Sequence, residues 1–453
     1  MRTFFVISAF LLLVSASFAQ PSVSLTIYNK DLAAVRETRL IKFPDGVSEQ
    51  KYTNVAARID PTSVTFSAPG VDILEQNYDF DLLSPDKLLQ KFVNQDIEVV
   101  TDKGDIVKGN LLTANGGSDD YRYARQILLR LPDGTIRTIG SQQVGGMHYP
   151  SLPAGIITQP TLRWRVNCES GGNKQVETTY LTHGMSWRAD YSLAITDKSD
   201  DASLSAWVTI DNKCGTGFDN AKLKLIAGDI HQADGRSQAM AERAISYSAP
   251  TTEAPFEEHG LFEYHIYTLE RPATVLDKET KQIELFKPAK AHATRIYEYN
   301  PQTRDDKIGV IMEFENSQAN GLGMPLPAGL VRVYQKDKDG NPEFLGDDRI
   351  DHTPHNEKVR VRVGDAFDIA VHRVAKDRRN QRDGGVDTDW EVRLRNHKTG
   401  PVTIVVKDHF SGIWNIVQSS HSLEKTDAQT VETSVLCEPE LEVVVTYTIH
   451  TRP

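Results

Sequence analysis

At 453 residues, with 39% hydrophobic and 25% charged residues, the chain has the composition of a folded protein of two to four units, because single domains usually run about 100 to 200 residues. Wholesale disorder is thereby excluded. A net charge of −11 disfavours nucleic acid and anionic lipid as partners, since both are bound through clustered Lys and Arg.

The start of the chain reads as an export signal. Arg2 supplies a positive end, Phe4 to Val14 an apolar run, and Ser17-Phe18-Ala19 the small residues that a signal peptidase reads, so residues 1–19 are expected to be removed. The run is shorter than the roughly 20 residues that span a bilayer, and no later stretch is apolar enough to cross one. The expected mature chain begins near Gln20, without a membrane span, in the periplasm or outside the cell. No cysteine lies near the cleavage point to carry a lipid.

From there the signal is mostly of period two. Residues 20–83 form an N-terminal β segment opening with Val23-Ser-Leu-Thr-Ile-Tyr28. One helix is expected, with Ser84 as N-cap, Pro85 at its first position and Leu88, Leu89 and Phe92 on one face, stopping near Asn94. It opens a module over 84–150, in which runs at 96–101, 106–112, 126–131 and 136–139 are separated by Asp102-Lys-Gly and Pro132-Asp-Gly-Thr turns. A short helix followed by bent strands suggests a small SH3-like or Sm-like barrel. Its 95–150 stretch carries seven acidic residues against six basic ones, which lacks the footprint of an RNA binder and points to a structural or protein-contact role.

The remainder predicts two tandem Ig-like β-sandwiches, over 151–304 and 305–453, in an all-β chain. Strands are expected at Thr161–Val166, Leu204–Ile210 and Val359–Val363, and the Ala-, Ser-, Glu- and Pro-rich stretch 231–260 is expected to be a mobile excursion. Three strands end alike, at Asn212, Asn316 and Asn396, each passing into a polar, glycine-containing connection; their separations of 104 and 80 residues suit sandwich domains. If 162–212 ran as four successive antiparallel strands, Cys168 and Cys214 would stand about 20 Å apart, beyond the roughly 7 Å limit for a bridge. That pairing is disfavoured, and pairing of either with Cys437 stays open.

Tyr180-Leu-Thr-His-Gly-Met-Ser-Trp-Arg-Ala-Asp-Tyr191, Ala221-Lys-Leu-Lys-Leu-Ile-Ala-Gly228 and Gly321-Leu-Gly-Met-Pro-Leu-Pro-Ala-Gly329 occur in that order. Val331-Arg-Val-Tyr334, Phe344-Leu-Gly346, His352-Thr-Pro-His355, Gly364-Asp-Ala-Phe367 and Val445-Thr-Tyr-Thr-Ile449 follow. Together they resemble the bacterial exported domain of unknown function 4139, found also in mucoidy inhibitor-like proteins, over roughly residues 156–453. The resemblance implies no chemistry. The chain departs from mucoidy inhibitor-like members in having no sustained heptads ahead of this domain.

Chemical motifs are sparse. His352 and His355 could offer two imidazoles to zinc, but no third ligand is recognisable and Pro354 marks a turn. Asp337-Lys-Asp-Gly-Asn341 has calcium-loop residue types, yet its glycine comes too early for an EF-hand and no closing Glu follows, so a hairpin turn is expected. No cofactor, metal or catalytic site is assigned. Trp187-Arg188-Ala189-Asp190-Tyr191 puts Trp187 and Tyr191 on one strand face and the two charges on the other. Alternating aromatics in sandwiches are usually core, and the sharper alternative makes Trp187 and Tyr191 a stacking platform for a sugar or partner. The favoured function is a non-enzymatic envelope or surface module that binds a protein or polysaccharide. The alternative is an extracellular hydrolase whose carboxylates are gathered only by the fold.

Overall fold

The computed structural model describes residues 22–79, 85–115, 126–151, 159–196, 200–228, 256–261, 264–303 and 306–452. The export leader, Ser84 and most of the 231–260 excursion lie outside them. The excursion's end does not stay irregular: Phe256–Leu261 is a strand, because Tyr264–Leu269 turns back to pair with it. Among the described residues strand dominates, with one α-helix, so the chain is all-β.

The N-terminal segment does not fold alone. Ser22–Tyr28 pairs antiparallel with Ala33–Phe43 and parallel with Phe218–Ala227, within an eight-stranded sheet that also takes in Gly172–Thr182 and Tyr264–Leu269. A three-stranded sheet, Gly46–Thr53, Thr161–Cys168 and Val71–Asp79, covers it. Trp164 joins the two layers, with its ring 5.1 Å from Tyr52 and 4.8 Å from Phe66, spacings at which aromatic pairs attract beyond simple burial.

The expected run of four successive antiparallel strands is therefore replaced. Thr161–Cys168 pairs with Gly46–Thr53 and Val71–Asp79, Gly172–Thr182 with Ala33–Phe43, and only Met185–Ile195 and Asp201–Asn212 pair in sequence order. Alternation specifies which face is buried but is silent on the partner. Cys168, Cys214 and Cys437 are free and buried.

The segment 85–148 keeps the anticipated helix and strands as a separate small core. Helix Pro85–Lys91 and the turn after it bring Leu88, Leu89 and Phe92 onto Ile97, Val99, Val107, Leu111, Ile127 and Leu129. The five strands lie in one row, Val144–His148, Asp96–Thr101, Ile106–Asn115, Gln126–Arg130 and Ile136–Gly140, with no pair joining the two edges. It is an open, barrel-like sheet and not a closed barrel.

A ten-stranded sheet forms the centre, running Pro342–Ile350, Gly329–Lys336, Met185–Ile195, Asp201–Asn212, Glu279–Tyr299 and then Val402–His409. Glu279–Tyr299 is 21 residues long: its first half pairs with Asp201–Asn212, and its second half with Ile308–Glu315 and Val402–His409. Ile283 and Leu285 enter the first large core, Tyr299 the second. The second core lies between the far part of this sheet and Ile369–Asn380, Val386–Asn396, Glu442–Arg452 and Ile413–Ser419, a two-layer β packing at the C-terminal end.

The three strand-ending asparagines do the same job. Each is wholly buried. Asn212 Nδ2 donates to the carbonyls of Thr216 and Leu276, Asn316 Nδ2 to those of Met324, Thr353 and Pro354, and Asn396 Nδ2 to those of Gly400 and Cys437. Each side-chain oxygen accepts an N–H from its own loop: Cys214, Gly323 or Lys398. The amide thus ties the loop after its strand to the turn before the partner strand, where Lys278, Asn356 and Glu440 are left-handed, with φ of 57°, 61° and 56°. A carboxylate cannot donate and a hydroxyl is too short, which explains why the same residue stands three times at a strand end.

Candidate functional site

Met185–Ile195 alternates inward Trp187, Ala189 and Tyr191 with outward Arg188 and Asp190. Trp187 is 2% exposed and donates its indole N–H to the Ile226 carbonyl at 3.0 Å. Tyr191 is 1% exposed and donates its hydroxyl to the Pro327 carbonyl at 2.7 Å; burial pushes that hydroxyl's pKa well above its ordinary value. The two aromatics suggested as a stacking platform are therefore inside the core, with their polar atoms engaged and no ring face turned to solvent.

Tyr191 works with Tyr267, which donates to the Pro325 carbonyl at 2.8 Å. With Asn316 on Met324, three buried side chains capture the carbonyls of Met324, Pro325 and Pro327 in the Gly321–Gly329 loop, whose two prolines have no N–H to give. The loop delivers Gly329 to a parallel pairing with Ala189 so close that a Cβ there would lie 2.3 Å from the Ala189 carbonyl oxygen. That docking lays Gly329–Lys336 beside Met185–Ile195 and fixes what their outer faces share.

On the outer face the groups converge. Asp190, 7% exposed, accepts from Thr209 Oγ1 at 2.6 Å and from Arg332 Nη1 at 3.4 Å, and Arg188 Nε lies 3.4 Å from it. Gln282 Nε2 donates to Thr209 Oγ1 at 3.1 Å, so Gln282, Thr209 and Asp190 form a chain of donors ending on the carboxylate. Arg188 reaches on to Asp211 at 3.0 Å; the Thr280 hydroxyl first, and Arg188 second, hold the Asp211 carboxyl below its usual pKa. Trp207, cross-strand neighbour of Asp190, is 43% exposed. Tyr334 stands edge-on to Phe344 at 5.8 Å, and Phe344 is 56% exposed. Asp190, Ser192, Trp207, Gln282, Arg332 and Tyr334 line a shallow recess of about 160 Å³.

The recess brings together an aromatic wall, a guanidinium and a nearly buried acceptor. The sequence offers Asp190 and Arg188 as outer-face charges of the 187–191 cluster, while Trp207, Gln282, Arg332 and Tyr334 carry no motif. The available signal was strand alternation, because Ser205, Trp207, Thr209 and Asp211 share the polar face of a strand whose other face is Leu204, Ala206, Val208 and Ile210. Trp207 is the one large apolar side chain on that polar face.

The other candidates serve structure. His352 Nδ1 accepts from the Ala328 N–H at 3.1 Å. Asp337 Oδ1 accepts from the N–H groups of Asp339 and Asn341, closing the hairpin between Gly329–Lys336 and Pro342–Ile350. Among the described residues no group of three or more His, Cys, Asp or Glu is placed to hold a metal ion. Burial raises the Cys214 thiol to about 11, which leaves it protonated and inert at neutral pH. No helix among the described residues is long and apolar enough to cross a membrane.

A family model described as a domain of unknown function, DUF4139, matches residues 176–417, which contain the whole of this face. No curated protein matches the chain.

Proposed function

The chain belongs to the DUF4139 family, and on that premise we propose that it is an exported, non-enzymatic envelope or surface module that binds its partner through the outer face of Asp190, Trp207, Arg332 and Tyr334. The single observation behind this reading is Trp207. A half-exposed indole beside a carboxylate that already receives hydroxyl and guanidinium contacts keeps a large apolar area open to solvent, and such a ring is the usual anchor of a binding surface. Hydrolysis by acid and base needs two such groups facing one cleft, and Asp190 is the one carboxylate among the residues that line the recess. Export rests on the Arg2 to Ala19 pattern, and N-terminal sequencing of the mature protein should begin at Gln20.

The function is tested by sedimentation. Purified mature protein should co-sediment with washed cell-envelope material from its source, and Trp207→Ala should remain folded but stay in the supernatant. Equal co-sedimentation of wild type and variant would defeat the assignment of this face.

A further inference from the structure

Resting on that reading, we propose that the recess takes a neutral sugar ring of an envelope polysaccharide, stacked on Trp207 and hydrogen-bonded by Asp190 and Arg332. Three observations point to this chemistry. The charges on the face are mixed in sign: Arg188 and Arg332 stand against Asp190 and Asp211, with Arg188 bridging both acids, and Glu284, Asp347 and Arg349 lie at register positions beside Trp207, Arg332 and Leu330. An anionic ligand would meet Asp190 next to its Arg, and a cationic one would meet the two guanidinium groups, so neither gains from the local field. Donors and acceptors are interleaved at short range. Asp190 accepts firmly only from Thr209 and keeps lone pairs for a ligand hydroxyl, while Arg332 spends one long contact of 3.4 Å and keeps donors. A vicinal diol, in which each hydroxyl both gives and accepts, fits such an adjacent pair. Finally, the wall beside them is an exposed indole, whose electron-rich face attracts the polarised C–H bonds on one side of a pyranose ring.

The recess of about 160 Å³ is shallow and lies on an open sheet face, so it suits one ring of a long chain passing across, with Phe344 and Tyr334 available to the next residue. A peptide would be expected to seek an unpaired strand edge, and here the strands that carry the recess, Met185–Ile195 and Asp201–Asn212, are paired on both sides.

The test is calorimetric titration of the full mature protein with neutral hexose and N-acetylhexosamine oligosaccharides of about six residues, alongside uronate oligomers and an unrelated soluble peptide set. Expected is binding to at least one neutral oligosaccharide, weakened tenfold or more by Trp207→Ala and by Arg332→Ala, and largely restored by Trp207→Phe, which keeps a stacking face. Failure of every neutral oligosaccharide, preference for uronates, or binding that survives Trp207→Ala would each overturn the proposal. Sedimentation separates its failure from that of the wider reading. If Trp207→Ala abolishes envelope binding but no neutral sugar binds, the sugar assignment falls and the face stands; if envelope binding is untouched, both fall.

Discussion

Two nearly inaccessible aspartates, each beside arginine and aromatic rings, end in opposite situations. Asp408, 3% exposed in the C-terminal core, accepts from Arg373 Nε at 3.0 Å and Nη2 at 2.8 Å and from the Tyr447 hydroxyl at 2.5 Å. Arg373 is itself roofed by Trp390, its Cζ 3.4 Å from the ring centroid, and although burial works to lower its pKa, the Asp408 charge prevails and raises it. Asp190 has the same kinds of neighbour, but its arginines stand off at 3.4 Å and Trp207 leans out to solvent. Composition alone therefore does not distinguish the sealed structural cluster from the face proposed to bind; the tightness of the ion pair and the cover over it differ.

The sharpest way to break this comparison is Asp408→Ala. It strands a guanidinium that is largely out of water and should cost about 3 to 5 kcal/mol. Urea unfolding measures it, and a loss below about 1 kcal/mol would mean that the cluster is not sealed. Trp187→Ala should cost a similar amount, about 3 to 5 kcal/mol, because it empties a packed site on the inner face of the strand that carries Asp190. An unchanged urea midpoint would return Trp187 to the surface.

An intermediate case is Glu298. Burial would raise its carboxyl, but hydrogen bonds from Arg360 and Lys407 outweigh that and hold the pKa below its ordinary 4.5. Its contribution is thus present above the unfolded value and lost as pH falls through the lower folded value. Since Arg360 is partly solvated, the gain is up to about 1 kcal/mol. Acid titration of stability should show a shallower loss below pH 4.5 in Glu298→Gln; identical curves would remove the assignment.

Trp207→Ala completes the series, with a change within about 0.5 kcal/mol. A larger loss would mark Trp207 as a packing residue and join the two aspartates in one class. Chelation should do least of all, leaving the melting midpoint in place, and a fall of several degrees would reveal a structural ion.

The residues made some of this legible. Period-two runs locate the strands, Pro85 with Leu88 and Leu89 announces the helix, and the Asp337 turn closes a hairpin as its residue types suggest. Recurring asparagines mark loops that are stapled. Pairing was illegible, because Thr161–Cys168 finds both partners more than eighty residues earlier and nothing in local alternation encodes that choice. The site was half legible: Asp190 sits in a conspicuous cluster, whereas its meeting with Arg332 depends on Gly329, which lets two strands dock in parallel.

The parallel partnership of Ser22–Tyr28 with Phe218–Ala227 has a temporal meaning. Ser24 faces Lys222, so on a ribosome adding about 5 to 20 residues per second the first strand waits roughly 10 to 40 s for its neighbour to be made. Until then Leu25 and Ile27 have only one side of their strand covered. A nascent chain of this design spends that interval with an open strand edge, and a fragment that ends before residue 218 should bind a holding chaperone more strongly than one that includes 218–227.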